Sequence, residues 1–102
     1  MKFGLSKEQF LLLETLVLTP LKEQSAEVYV FGSRARGDHH PFSDLDLLYK
    51  EDSNNPLSAS ALASIKEDLE NSNLPIKIDI VNDKNLAKSY RPSVEKDLIK
   101  IS

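Results

Sequence analysis

The run Val28-Tyr29-Val30-Phe31-Gly32-Ser33, followed after ten residues by Asp44-Leu45-Asp46-Leu47, restricts the fold more than any other part of the chain. The first run is β-branched and aromatic and is stopped by a glycine, the profile of a buried strand. Residues 44–49 begin in strict alternation, so a strand of period two puts Asp44 and Asp46 on one face and Leu45 and Leu47 on the other. A third run, 76–81, sets Ile76, Ile78 and Ile80 on one face and leaves Asp79 on the other.

Helical signals surround these strands. Ser6 and Gln9 have the capping-box spacing, and Phe10, Leu13, Leu16 and Val17 recur at helical intervals, with Leu11 and Leu12 widening the stripe. A helix over 7–18 follows. Its wide apolar face is read as core, with a partner surface as the alternative use of the excess. Thr19-Pro20 predicts a separate short helix to about residue 24. Asn55-Pro56 is expected to open a helix to about 72 that carries Leu62, Ile65 and Leu69. Beyond residue 84 a weak helical pattern is broken at Arg91-Pro92, after which Val94, Leu98 and Ile101 align on a terminal helix.

At 102 residues this is a single domain, 1–102, with one modest core. The expected class is α/β (α+β), a small sheet covered by helices. Zero cysteines exclude a disulfide scaffold and a thiolate metal site. A net charge of −3 gives no general attraction to nucleic acid, so direct nucleic-acid binding is not expected and any polyanion must be held by a local patch. No stretch approaches the ~20 apolar residues of a membrane span, and the chain reads as cytoplasmic with no membrane partner.

The local patch lies directly after the first strand. Gly32 permits a close turn, and Ser33 starts a helical turn whose amides and hydroxyl face an anion, which describes a phosphate cradle. Arg34 and Arg36 are placed to reach phosphate oxygens. A plain turn is the competing reading. Asp44 and Asp46, with Cα atoms about 6.6 Å apart at strand rise, can converge on one hard cation or a close pair. At about 7 Å two like charges repel by roughly 2.4 kcal/mol at an effective dielectric of 20, so the pair asks for a compensating charge unless the face is simply solvated. Asp79 adds a third carboxylate, which is either part of the same set or an incidental surface acid. In the first case the three share one face and match the ligand set that a two-metal phosphoryl-transfer site needs. His39 and His40 are adjacent, not a helical i, i+4 metal pair, and read as loop residues near the entrance. Arg36-Gly37-Asp38 carries no adhesion claim.

Gly32-Ser33, ten residues, then Asp44-Leu45-Asp46 resembles the signature of the DNA polymerase β type nucleotidyltransferase superfamily. The Gly-Ser-Arg-Ala-Arg-Gly start and the Ser-Asp-Leu-Asp-Leu end resemble its smallest members, the minimal nucleotidyltransferases of HEPN/MNT toxin–antitoxin pairs. The resemblance implies the nucleotidyltransferase fold with a mixed sheet, and Mg²⁺- and ATP-dependent nucleotidyl transfer with two ions. It assigns Gly32, Ser33, Arg34 and Arg36 to the triphosphate, and Asp44, Asp46 and Asp79 to the metals and the chemistry. It further implies an antitoxin that transfers AMP to a tyrosine of a partner HEPN ribonuclease toxin, the partner supplying the acceptor-binding part that larger relatives carry as an extra domain. Two other readings remain: a non-catalytic module that neutralises a partner by contact, and a small-molecule nucleotidyltransferase.

Overall fold

The computed structural model describes residues 2–101. The elements run α1 (Lys7–Leu13), a π-helical turn (Glu14–Leu18), α2 (Thr19–Glu23), β1 (Glu27–Phe31), α3 (Ser33–Arg36), β2 (Leu45–Lys50), α4 (Ala59–Glu70), β3 (Ile78–Asn82), a 3₁₀ turn (Asp83–Asn85), α5 (Arg91–Asp97) and β4 (Ile99–Lys100). The strands form one mixed sheet in the order β3-β2-β1-β4. β1 is antiparallel to both β2 and β4, and β2 is parallel to β3.

Ser6 caps α1 as its spacing requires: the Gln9 amide donates to Ser6 Oγ at 3.1 Å, and the Ser6 amide donates to Gln9 Oε1 at 2.9 Å. The expected break at Thr19-Pro20 does not occur. The chain stays helical from Lys7 to Glu23, because at Glu14–Leu18 the hydrogen bonds step back five residues and the Thr19 amide reaches the Glu14 carbonyl. The wider turn absorbs a proline that supplies no N–H and whose ring crowds the preceding turn. Of the predicted stripe, Leu13 and Val17 are fully buried, while Leu11 faces solvent.

The helix predicted to open at Asn55-Pro56 begins instead at Ala59, where Ser58 Oγ accepts from the Ala61 amide at 3.1 Å. Asp52 and Asn55 pair across a turn before it. The C-terminus also departs from expectation. α5 stops at Asp97, and Ile99–Lys100 becomes a strand, with Val30 opposite Ile99 and the Ile101 amide donating to the Val28 carbonyl at 2.9 Å. The outer edge of β1 would otherwise carry unpaired amides and carbonyls, and two isoleucines suit a strand better than the last turn of a helix.

The core lies between the Leu13, Val17 and Leu21 side of the first helical stretch and the Val28, Val30, Leu45 and Leu47 side of the sheet, with Ile65 of α4 joining it. The opposite face of β2 therefore carries Asp46 and Leu48. Among the described residues no helix is long and apolar enough to cross a membrane.

Candidate active site

Three strand ends build the site. In the antiparallel pair β1/β2, Phe31 lies opposite Asp46, and in the parallel pair β2/β3, Asp46 lies opposite Asp79. Register partners on adjacent strands point to the same face, so the Asp46 and Asp79 carboxylates are immediate neighbours. Asp44 falls one residue before β2, exposed, where the Leu45 amide is already tied to the Lys77 carbonyl at 3.0 Å.

Asp46 is half-buried, and its carboxyl pKa is raised above the usual range first by burial, then by the negative charge of Asp79 and of Asp44, with Arg36 and Lys77 opposing from a distance. Lys77 Nζ sits 3.5 Å from Asp79 Oδ1. Lys77 escaped the sequence reading, although its position two residues before Asp79 on the same strand face was a usable signal. Among the described residues no three His, Cys, Asp or Glu side chains are gathered tightly enough to hold an ion. The three aspartates share one electrostatic neighbourhood without converging, as expected of like charges with only Lys77 and Arg36 to offset them. A half-buried carboxylate whose ionisation is opposed by two others, all with hard oxygen donors, fits a divalent cation such as Mg²⁺.

Gly32 connects β1 to α3 at φ +78° and ψ −158°, a region open only to glycine. A β-carbon there would lie 2.5 Å from Asp46 Oδ2. The turn is thus set both by its backbone and by the carboxylate resting against it. Ser33 opens α3, and Gly37, left-handed at φ +86°, closes it with its amide on the Ser33 carbonyl at 2.9 Å.

The two arginines after the turn are placed differently. Arg34 is only 3% exposed and points inward. Its Nε donates to the Ser43 carbonyl at 3.0 Å, Nη1 to the Phe3 carbonyl at 2.8 Å, and Nη2 to the Pro41 carbonyl at 3.1 Å. Burial lowers its pKa. It clamps the loop between α3 and β2 to the N-terminal segment, so its guanidinium is committed to backbone. Arg36 is exposed, bridging Asp38 at 3.1 Å and Asp97 of α5 at 2.7 Å, contacts that raise its pKa. It remains near enough to Asp46 to be felt by it. Of the two histidines, His40 is exposed, whereas His39 is partly buried against Gly4, where an added β-carbon would collide with its ring.

A cleft of about 570 Å³ opens beside Asp46 and Asp79 and runs along the free edge of β3, with Leu69, Leu74 and Ile76 as apolar walls and Lys66 and Lys77 as cations. The geometry therefore offers a glycine turn, a set of carboxylates and an adjoining pocket in sequence across the sheet from β1 to β3.

Comparison with known proteins agrees with this arrangement. Residues 14–101 match the family described as "Nucleotidyltransferase domain". A Methanocaldococcus jannaschii protein named "Putative protein adenylyltransferase" is 35% identical over 79 residues, covering 76% of this chain and 78% of that one. A solved structure described as a "putative minimal nucleotidyltransferase" superposes with a TM-score of 0.67 at 32% identity, over 99% of this chain and 97% of the other. A toxin–antitoxin crystal structure with AMP-PNP gives a TM-score of 0.63 at 20% identity, over 85% of this chain and 70% of that chain, a likeness of fold. The chain belongs to the nucleotidyltransferase domain family, and its activity is nucleotidyl transfer.

Proposed function

We propose that the chain transfers AMP from ATP to a hydroxyl of a partner protein, a tyrosine of a HEPN-type ribonuclease toxin, and so acts as its antitoxin. The observation that carries this reading is the direct pairing of Asp46 with Asp79, backed by Gly32 at the end of β1. The 35%-identical relative named for protein adenylylation supports a protein acceptor, and the toxin–antitoxin neighbour with AMP-PNP supports the donor and the kind of partner.

In this reading Gly32 lets the triphosphate approach the backbone, and the Ser33 hydroxyl and the first amides of α3 donate to its oxygens. Arg36 supplies positive charge beside the carboxylates. Asp46 and Asp79, with Asp44 drawn toward them, would hold two Mg²⁺, which when bound would supply charge to the α-phosphate and the leaving pyrophosphate. The acceptor oxygen forms a bond to the α-phosphorus, the α–β bridging bond breaks, pyrophosphate leaves with the bonding pair, and the acceptor proton passes to Asp79. The cleft along β3 gives the acceptor a way in beside that carboxylate.

Incubating the protein with α-labelled ATP, Mg²⁺ and the product of the adjacent reading frame tests the proposal. Label on the protein partner is the expected result. Tight association without label would replace the enzymatic reading by one of contact alone, and label on a small molecule would replace the acceptor.

A further inference from the structure

The loop between α3 and β2 presents an aromatic ring that neither the phosphate turn nor the carboxylates account for. Phe42 is 82% exposed, more than any other large apolar side chain among the described residues. Its backbone is nevertheless fixed. The Ser43 amide donates to the His40 carbonyl at 3.0 Å, and the His40 amide donates to Ser43 Oγ at 2.8 Å, closing a turn with Pro41 and Phe42 at its tip. Arg34 then holds the carbonyls on both sides of Phe42, those of Pro41 and Ser43. A buried guanidinium and a closed turn are thus both committed to holding a phenyl ring in water. The free protein leaves the ring in water on a fixed backbone, open to stack on a flat group bound beside it.

Its position says which ligand. Phe42 lies two residues before Asp44, within about 7 Å along the backbone. It shares with the Gly32–Ser33 turn the single connection from β1 to β2, so one segment spans both the phosphate turn and the ring. The cleft suited to an acceptor lies elsewhere, across Asp46 and Asp79 at the free edge of β3. The arginines nearest Phe42 in sequence are already engaged, Arg34 by carbonyls and Arg36 by Asp38 and Asp97, so what the loop tip offers is an uncharged π-face rather than another phosphate contact.

We propose that Phe42 is the platform on which the nucleobase of the bound nucleotide stacks. The inference rests on the reading of ATP as donor and adds the group that holds its base. Stacking accepts any flat base, so Phe42 contributes affinity and leaves the choice between adenine and guanine to other contacts.

Calorimetric titration of wild type, Phe42→Ala and Phe42→Trp with ATP and with inorganic tripolyphosphate, both with Mg²⁺ and without acceptor, tests this. Loss of one base–aromatic stack should weaken ATP binding by about fivefold or more in Phe42→Ala, while Phe42→Trp stays within about twofold of wild type. Tripolyphosphate, having no base, should bind all three alike. Unchanged ATP affinity in Phe42→Ala overturns the proposal, and so does an equal loss for ATP and tripolyphosphate, which would mean a reshaped phosphate turn. In a parallel α-labelled ATP assay with the partner protein present, normal nucleotide binding with loss of transfer would assign the ring to partner contact and also overturn it. Wild type binding neither compound would instead remove the donor reading itself and the inference with it.

Discussion

The Asp46 carboxylate rests against the backbone of Gly32, so closely that a β-carbon at position 32 would stand 2.5 Å from Oδ2. The end of β1 and the middle carboxylate of the site are therefore one packed unit, and the glycine is required twice, by its φ of +78° and by its neighbour.

Replacing Gly32 should damage both roles. A side chain in this backbone region costs about 1–3 kcal/mol, and valine adds a branched collision with Asp46. Gly32→Val is expected to lower the melting temperature and to abolish measurable ATP binding, whereas Ser33→Ala, losing one hydrogen bond, should weaken ATP only several-fold. Parallel thermal melts and ATP titrations check this, and a Gly32→Val protein with normal affinity would remove the turn from the site.

Arg34 should behave as a structural residue. A lysine keeps the charge but has one compact ammonium in place of the planar fork that now serves three carbonyls. Arg34→Lys is expected to destabilise by about 1–2 kcal/mol through part-buried carbonyls left without donors. Urea denaturation measures it. Full stability with a selective loss of tripolyphosphate binding would return Arg34 to the phosphate-binding role that its place in the sequence first suggested.

These residues also show what the sequence could and could not reveal. Gly32, Ser33, Asp44 and Asp46 lie within one short segment, where spacing and period two determine their relations, and Asp79 could be given a face by alternation alone. The register that puts Asp79 opposite Asp46 rather than Asp44 depends on strand pairing across the chain, which no local pattern encodes. The inward turn of Arg34 is not legible in the sequence, because its partner at Phe3 is 31 residues away and a long side chain after a glycine turn can swing either way. The continuous helix through Pro20 and the conversion of Ile99–Lys100 to a strand were likewise decided by neighbours, a widened turn in one case and the open edge of β1 in the other.

Asp46 gives a pH signature. Its folded-state pKa lies above the unfolded value, so its contribution to stability is full below the unfolded pKa and is lost as pH rises through the folded pKa. At pH 7 the ionised group therefore opposes folding. Asp46→Asn should melt at the wild-type temperature or above it at pH 7, with the advantage shrinking as pH falls below the ordinary carboxylate range. Mg²⁺ should raise the wild-type melting temperature at pH 7 and leave that of Asp46→Asn nearly unchanged, because only a ligand that binds the folded state shifts the transition. An equal Mg²⁺ response in both proteins would contradict Asp46 as a ligand.

The central claim, that the paired carboxylates perform transfer rather than merely shape a binding surface, is tested most directly at Asp79. The measurement is the rate at which Asp79→Asn moves label from α-labelled ATP to the partner protein, set beside its affinity for ATP with Mg²⁺. Phosphate binding should survive within a few-fold, since the Gly32–Ser33 turn, Asp44 and Asp46 remain. Transfer should fall by at least about 100-fold, the scale of losing a proton acceptor together with a metal ligand. An Asp79→Asn protein that labels its partner at the wild-type rate would contradict the account.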